Sequence, residues 1–234
     1  MKGELWMYFK IEYEPYIAII GDIKDSKDIV NRYDTQETLK DILSKINTTY
    51  SKEIASKFVV TLGDEFQGLL KDGSVIIPII NEIEKSLHPV KMRFGIGVGE
   101  IHTSINYEMA IGSDGPCFYK AREAILSLKN KERKKEVAKS LYQLEVDGKS
   151  NETVNLINTI FTLMTAIKES WSDRQRETIL NLENHNDGQS EVARRMGIRQ
   201  SSVQKHLVNA KYYTYKEALD IVAEALSEIG RQND

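Results

Sequence analysis

The first 130 residues alternate between short β-branched runs and longer segments with an apolar residue at every third or fourth position. The short runs predict strands and the longer segments predict helices. A turn signal at Gly63-Asp64 predicts that the second and third strands form a hairpin. The order strand, helix, hairpin, helix, strand, helix indicates an α/β sandwich with one mixed sheet. The predicted elements are the strand 18–22, the helix 34–50, the strands 58–62 and 66–70, the helix 74–87, the strand 92–98 and the helix 115–128.

The rest of the chain has a different pattern. Residues 129–139 are strongly charged, and the sequence Asp147-Gly148-Lys149-Ser150-Asn151 is typical of a linker. After this linker every segment has helical spacing. We therefore expect an α/β domain over residues 1–145 and an all-α domain over residues 146–234. The predicted helices are 151–171, 173–184, 189–196 and 200–213, and the last can continue into a helix that ends near residue 229.

Composition narrows the class of protein. The chain has 234 residues, of which 41% are hydrophobic and 29% charged, and these values exclude a disordered or fibrous protein. A single cysteine, Cys117, excludes a disulfide framework and a cysteine-based zinc site. No apolar run approaches the roughly 20 residues of a membrane helix, and residues 1–10 do not resemble a secretion signal. We expect a cytoplasmic protein that does not bind a membrane.

Charge distribution points to one region of the second domain. The net charge is -3, so binding to nucleic acid requires a local basic patch. Between Arg194 and Lys211 the chain has five lysines and arginines and no acidic residue. The same region has a small residue at Ala193, a glycine at Gly197 and an apolar residue at Val203, the spacing of a helix-turn-helix.

The second helix of this motif begins at Gln200 and predicts a partner, double-stranded DNA. A recognition helix presents its first residues to base edges in the major groove, and flanking cations contact phosphates. Two alternatives remain, in which the helix pair serves only packing or dimerisation, or binds only protein. The candidate DNA-binding residues are Arg199, Gln200, Ser201, Ser202, Gln204, Lys205 and His206.

Acidic residues follow two of the predicted strands in the first domain. Asp22 ends the first strand and Asp64 lies at the tip of the hairpin, so the two carboxylates should meet at a solvent-open edge of the sheet. Such hard oxygen ligands suit Mg²⁺ or Mn²⁺ carrying a nucleoside triphosphate. Asp25 and Glu65 are supporting candidates beside them. The alternative is that these acids only cap turns, which is a common use of aspartate.

Four segments of the first domain resemble class III nucleotidyl cyclases, in the same order along the chain. Ile19-Ile20-Gly21-Asp22-Ile23 resembles the first metal-binding strand, and Thr61-Leu62-Gly63-Asp64-Glu65-Phe66 resembles the hairpin and also the GGDEF signature of diguanylate cyclases. The other two are Arg93-Phe94-Gly95-Ile96-Gly97-Val98-Gly99 and the segment from Ile111-Gly112-Ser113 to Glu123. The resemblance covers about residues 15–130 and implies a palm-type, ferredoxin-like core.

The resemblance also implies roles for individual residues. It makes Asp22, Asp64 and the carbonyl of Ile23 metal ligands, and it makes Arg122 the catalytic arginine that stabilises charge on the phosphoryl group. It further implies a homodimer and a nucleoside triphosphate or cyclic nucleotide as ligand. Three departures from the cyclase pattern bear on base choice and catalysis: Val60 stands in place of a base-reading lysine, Leu62 in place of the first glycine of GGDEF, and Phe118 or Tyr119 in place of an asparagine.

The whole chain is similar to the SatD family, through Gly21-Asp22-Ile23-Lys24-Asp25-Ser26, Gly63-Asp64-Glu65-Phe66 and the helical second part. Taken together, these patterns predict a DNA-binding transcriptional regulator whose cyclase-like domain senses a nucleotide and a metal. The alternative function is an active, metal-dependent nucleotidyl cyclase or nucleotidyltransferase. Function has to be decided at the sites, because one fold serves many activities.

Overall fold

Contacts within the computed structural model divide the chain into two compact units. The α/β unit comprises Met1–Thr162 and Val222–Asp234, and the helical unit comprises Leu163–Ile221. The sequence predicts a boundary at residue 145, whereas this division falls inside two helices. The structure describes residues 9, 11–29, 31–61, 63–134, 137–148, 152–185 and 187–230.

A five-stranded mixed sheet forms the centre of the α/β unit. Its strand order is β2-β3-β1-β4-β5, with antiparallel neighbours throughout except for the parallel pair β4 and β5. The predicted mixed α/β sheet is confirmed. The elements are β1 (Tyr16–Ile23), α1 (Arg32–Thr49), β2 (Ile54–Val60), β3 (Glu65–Leu70), α2 (Ile76–Leu87), β4 (Met92–Gly99), α3 (Pro116–Arg133), β5 (Tyr142–Val146), α4 (Glu152–Glu169), α5 (Asp173–His185), α6 (Gln189–Met196), α7 (Gln200–Asn209) and α8 (Tyr212–Leu226).

In each edge strand of the sheet, an asparagine side chain from a helix forms hydrogen bonds with the backbone N–H and C=O of one residue. Asn47 on α1 bonds the N–H and the C=O of Phe58 on β2, at 2.7 and 2.9 Å. Asn158 on α4 bonds the N–H and the C=O of Leu144 on β5, both at 2.8 Å. Exposed sheet edges invite pairing with other chains, so these two contacts protect the sheet at its ends.

Helix α3 lies close against one face of β1 and β4 because β4 has glycines beneath it. A Cβ atom on Gly97 would lie 2.1 Å from the carbonyl oxygen of Cys117, and one on Gly95 would lie 2.4 Å from that of Ala121. Real side chains cannot occupy that space, so the glycines are required for this close packing. Cys117, Ala121 and Ile125 of α3 join Ala18 and Ile20 of β1 in one buried cluster.

The helical unit contains α5, α6, α7 and the adjoining parts of α4 and α8. Its buried apolar residues include Ile179, Val192, Val203 and Leu207. The predicted helix 200–213 is interrupted, since α7 ends at Asn209 and Lys211 adopts a left-handed conformation at φ 54°. None of the helices in the described part of the chain is both long and apolar enough to cross a membrane.

Candidate functional site

Three neighbouring strands of the sheet place charged residues side by side at the end of β1. Asp22 on β1 is opposite Glu65 on β3 and opposite Arg93 on β4. Residues paired directly across strands lie on the same face. All three therefore face α3, which supplies their charged partners. We call Lys24, Asp22, Arg93, Lys129 and Glu132 the Asp22 cluster.

Both carboxylate oxygens of Asp22 are engaged by cations of the chain. Arg93 Nη1 donates to Oδ2 at 2.6 Å, and Lys129 Nζ donates to Oδ1 at 2.7 Å. The Asp22 side chain is only 8% exposed and that of Arg93 only 9%. The expectation of a solvent-open Asp22 is wrong, because β3, β4 and α3 enclose the end of β1. Breaking such a buried pair from one side costs about 3–5 kcal/mol, because it leaves an uncompensated charge.

Glu132 completes the Asp22 cluster from the last turn of α3. It accepts from Arg93 Nε at 3.0 Å and Nη2 at 2.6 Å, and it pairs with Lys24 Nζ at 3.1 Å. Burial by itself would raise the pKa of Glu132, but the hydrogen bonds from Arg93 and Lys24 outweigh burial and lower the pKa below its ordinary value. For Arg93, burial lowers the pKa, and its bonds to Glu132 and Asp22 outweigh that effect and raise it.

Arg122, the candidate catalytic arginine, pairs with Glu65. Its Nη1 donates to Glu65 Oε2 at 2.6 Å, while Glu65 Oε1 accepts from the Thr61 hydroxyl at 3.3 Å. The Arg122 side chain is 45% exposed and that of Glu65 is 11% exposed. Arg122 therefore lies at the rim of the same face, with its guanidinium partly open to solvent.

The other two predicted ligands, Asp64 and Ile23, and the supporting candidate Asp25 lie around the end of β1. The carbonyl of Asp64 accepts from the N–H of Ile23 at 3.0 Å, which joins the hairpin to β1. The Asp64 carboxylate makes no hydrogen bond or ion pair with any described residue. Asp25 is exposed and has a left-handed backbone at φ 52°. The structure thus places the backbone of Asp64 next to Ile23, the residue that follows Asp22.

This set of oxygen donors does not fit the predicted Mg²⁺ or Mn²⁺. Both ions need carboxylate oxygens that are free to coordinate. The two oxygens of Asp22 accept from Arg93 and Lys129, and Oε2 of Glu65 accepts from Arg122. Within the described residues, no group of three or more His, Cys, Asp or Glu side chains is arranged to hold a metal ion.

Four members of the Asp22 cluster were not predicted as site residues: Lys24, Arg93, Lys129 and Glu132. Arg93 is the second residue of β4, a strand that is buried along its whole length, and a charged residue in such a strand needs a partner, which is a usable sequence signal. Lys129 and Glu132 belong to the charged stretch 129–139, but α3 continues through Arg133. Helical spacing from the buried Ile125 and Leu128 places both residues beside the apolar stripe of α3.

The predicted recognition residues lie in the helical unit, on α7. Helix α6 ends at Gly197, which is left-handed at φ 63°, and the N–H of Ile198 donates to the carbonyl of Ala193 at 3.0 Å. Val203 and Leu207 are buried on α7. Gln200 and Ser201 are exposed at the start of α7 and Ser202 is half-buried.

Two of the predicted DNA contacts are instead engaged within the helical unit. The side-chain oxygen of Gln204 accepts from Gln189 Nε2 at 2.6 Å and from the Tyr213 hydroxyl at 3.4 Å. His206 Nδ1 lies 2.9 Å from the hydroxyl of Thr178, which itself donates to the carbonyl of Arg174. Both residues therefore help fix α7 in place.

The lysines and arginines of the basic patch between Arg194 and Lys211 have a different environment. Arg199, Lys205 and Lys211 are exposed, and their side chains make no ion pair or hydrogen bond with any described residue. By contrast, Arg194 pairs with Glu191, and Arg195 pairs with Asp187. Three of the five cations between Arg194 and Lys211 are thus uncompensated within the described chain.

Comparison with known proteins places the sequence in a family. The sequence model of the SatD family matches residues 16–223. The chain belongs to the SatD family. The match includes the Asp22 cluster as well as the α6–α7 helix pair, so both candidate sites lie within the SatD region. No curated protein matches the chain in a sequence search.

Among solved structures, one match is the catalytic core of a rhodopsin-guanylyl cyclase with converted specificity, solved in complex with ATPαS. It shares 14% sequence identity at a TM-score of 0.29, covering 47% of this chain and 71% of the cyclase chain.

Proposed function

We propose that this chain is a DNA-binding transcriptional regulator, with α6 and α7 as a helix-turn-helix and α7 as its recognition helix. The observation that carries this proposal is the set of three exposed cations, Arg199, Lys205 and Lys211, that lack partners in the described chain. Uncompensated cations beside an exposed helix start are what a DNA backbone attracts. They stand out in a chain whose net charge is -3.

The packing of the two helices also supports a helix-turn-helix. Ala193 is buried on α6, and Gly197 allows the chain to turn sharply into α7. Val203 packs α7 back into the unit and is fully buried. Because the apolar side of α7 is anchored in this way, its polar first turn remains available for base edges.

Base contacts are assigned to Gln200, Ser201 and Ser202, and phosphate contacts to Arg199 and Lys205. Glutamine and serine read base edges through hydrogen bonds, whereas cations on the flanks fix the position on the duplex. Gln204 and His206 act indirectly, since their side chains hold α7 against Gln189 and Thr178. We also propose a homodimer, because helix-turn-helix proteins commonly bind paired half-sites.

The α/β unit is proposed as the sensor of the regulator. Its strands β2-β3-β1-β4, with α1 and α2 as connections, support the ferredoxin-like core that the cyclase resemblance implies. The expected signal is a nucleoside triphosphate or a cyclic nucleotide. Arg122 and Lys129, with side chains 45% and 36% exposed, lie at the same edge and provide positive charge for a phosphate group.

An active nucleotidyl cyclase is the alternative, and the site favours it less. In that reading Asp22 and Asp64 would hold two metals and Arg122 would stabilise the transferring phosphoryl group. Asp22 is bound instead by Arg93 and Lys129, and Arg122 by Glu65. Incubating the purified chain with each nucleoside triphosphate and Mg²⁺ or Mn²⁺, followed by separation of products, tests this alternative directly.

The experiment that tests the regulator is selection of duplexes from a random DNA pool by the full-length chain. We expect enrichment of one sequence that binds about a thousandfold or more tightly than random duplex. The matched comparison is Lys216→Ala, a lysine of the same unit that is already paired with Asp220 and should not alter selection. If no DNA sequence is enriched and the chain turns over a nucleotide, the proposed function is wrong and the chain is an enzyme. Absence of both would favour a protein-binding scaffold.

A further inference from the structure

We propose that Arg93 and Lys129 keep divalent cations away from Asp22, so that this edge of the sheet works without a metal. Asp22 is the carboxylate that the resemblance to cyclases makes a metal ligand. The disagreement between that expectation and the observed ion pairs carries the proposal. It is independent of DNA binding, because it concerns only side chains of the α/β unit.

Both oxygens of the buried Asp22 carboxylate already accept from a positively charged side chain. Arg93 occupies Oδ2 at 2.6 Å and Lys129 occupies Oδ1 at 2.7 Å, on a side chain that is 8% exposed. Mg²⁺ would have to lose water in order to enter, and it dehydrates reluctantly. It would also have to displace two positive charges that already neutralise the carboxylate. The two protein cations therefore take the place of a metal ion.

The two cations differ in how firmly they are held. Arg93 is 9% exposed and is shared between Asp22 and Glu132 through three hydrogen bonds. Lys129 is 36% exposed, and within the described residues Asp22 is its partner. Neutralising Lys129 therefore releases Oδ1 of Asp22 while the rest of the Asp22 cluster stays paired.

A second acidic side chain lies on the hairpin that is bonded to the end of β1. The Asp64 carboxylate has no partner among the described residues, and the Asp64 backbone is bonded to Ile23, the residue after Asp22. Removal of the positive charge at Lys129 should thus create an acidic edge with free oxygens. Its ligand class would then be a hard divalent cation such as Mn²⁺.

The test measures Mn²⁺ binding to the full-length chain by the loss of the free-ion signal in electron paramagnetic resonance. The variants are Lys129→Met, which keeps the length and apolar stem of the side chain, and Lys120→Met as matched control. Lys120 is on the same helix and pairs with Glu123 at the surface. We expect the wild type and Lys120→Met to bind alike, and Lys129→Met to bind Mn²⁺ about tenfold more tightly or better.

Two results would overturn the proposal. One is Mn²⁺ binding by the wild type that is lost in Asp22→Asn while the fold, followed by circular dichroism, is kept. The other is a Lys129→Met variant that folds and binds Mn²⁺ no better than Lys120→Met. Wild-type binding that survives in Asp22→Asn would support the proposal, since Asp22 would then lie outside the ligand set. Should Asp22→Asn not fold, the comparison between the two lysine variants decides by itself.

Discussion

Lys129 on α3 and Asp22 on β1 are joined by an ion pair of 2.7 Å across 107 positions of the sequence. Together with the Arg93–Glu132 pair, it links the second half of α3 to the central strands. Resemblance to cyclases predicts an acidic metal centre at this place, and the structure has a carboxylate surrounded by protein cations. Under the proposed function, this part of the α/β unit belongs to a sensor.

The Asp22 cluster should make stability depend on pH through Glu132. The pKa of Glu132 in the folded state is lowered from its ordinary value of 4.5. The contribution of Glu132 to the free energy of unfolding is therefore complete above pH 4.5, and it is lost as the pH falls through the folded-state pKa. Glu132→Gln should reduce the free energy of unfolding at pH 7 by about 1.5–3 kcal/mol, because charged hydrogen bonds are removed. Urea unfolding at pH 7 and near pH 4 measures both effects.

The control for that prediction is Glu123→Gln on the same helix. Glu123 is 59% exposed and pairs with Lys120 at the surface, so its loss should cost less than about 1 kcal/mol. A Glu132→Gln variant as stable as Glu123→Gln at pH 7 would contradict the role assigned to the Asp22 cluster.

Cys117 should be unreactive in the folded protein. It lies on the face of α3 that packs on the sheet and is fully buried there, and burial raises the pKa of its thiol to about 12. Thiolates, and not thiols, attack disulfide reagents, so a chromogenic reagent at pH 8 should give no release with native protein and full release in urea. Because Cys117 is the single cysteine, the signal has one source. Rapid release from native protein would mean that α3 does not pack on β4 as described.

Much of the α/β unit could be predicted because its pattern is local. The bounds of the predicted strand 92–98 and of the predicted helix 34–50 differ by at most two residues from those of β4 and α1. In the helical unit, the predicted helix 189–196 has the same bounds as α6. Strand β5 was missed. Tyr142, Leu144 and Val146 alternate with polar residues, but five residues between a charged stretch and a linker are too short to indicate a strand without its partner β4.

The parts that sequence could not predict depend on distant contacts. The burial of Asp22 requires Arg93 from β4 and Lys129 from α3, which are 71 and 107 positions away. The break between α7 and α8 is also non-local. The indole N–H of Trp171 donates to the carbonyl of Ala210 at 2.8 Å, next to the left-handed Lys211.

Gln200 should contribute to sequence specificity. It is exposed at the first position of α7, where a side chain can reach base edges. Gln200→Ala should weaken binding to the selected duplex by about 1–3 kcal/mol and leave random duplex nearly unchanged. Fluorescence anisotropy on both duplexes provides the comparison. Equal weakening of binding to the selected and the random duplex would mean that Gln200 contacts the DNA backbone and not a base.

Lys205 should behave in the opposite way, since it is expected to touch only phosphate. Lys205→Ala should weaken selected and random duplex about equally and reduce the slope of log affinity against log salt by roughly one unit. Lys216→Ala, whose lysine pairs with Asp220, is the control for removing a positive charge from the helical unit. An unchanged salt slope in Lys205→Ala would mean that Lys205 does not contact the DNA phosphates.

The most direct test of the regulator is a salt titration of DNA binding by the wild-type chain, with and without each nucleotide, followed by fluorescence anisotropy. We expect the logarithm of the DNA affinity to fall linearly with the logarithm of the salt concentration, as counterion release requires. It also predicts that the preferred nucleotide shifts the affinity by about 1–3 kcal/mol, the usual size of coupling between two sites. No binding to any duplex above background at low salt, with or without nucleotide, would contradict the account.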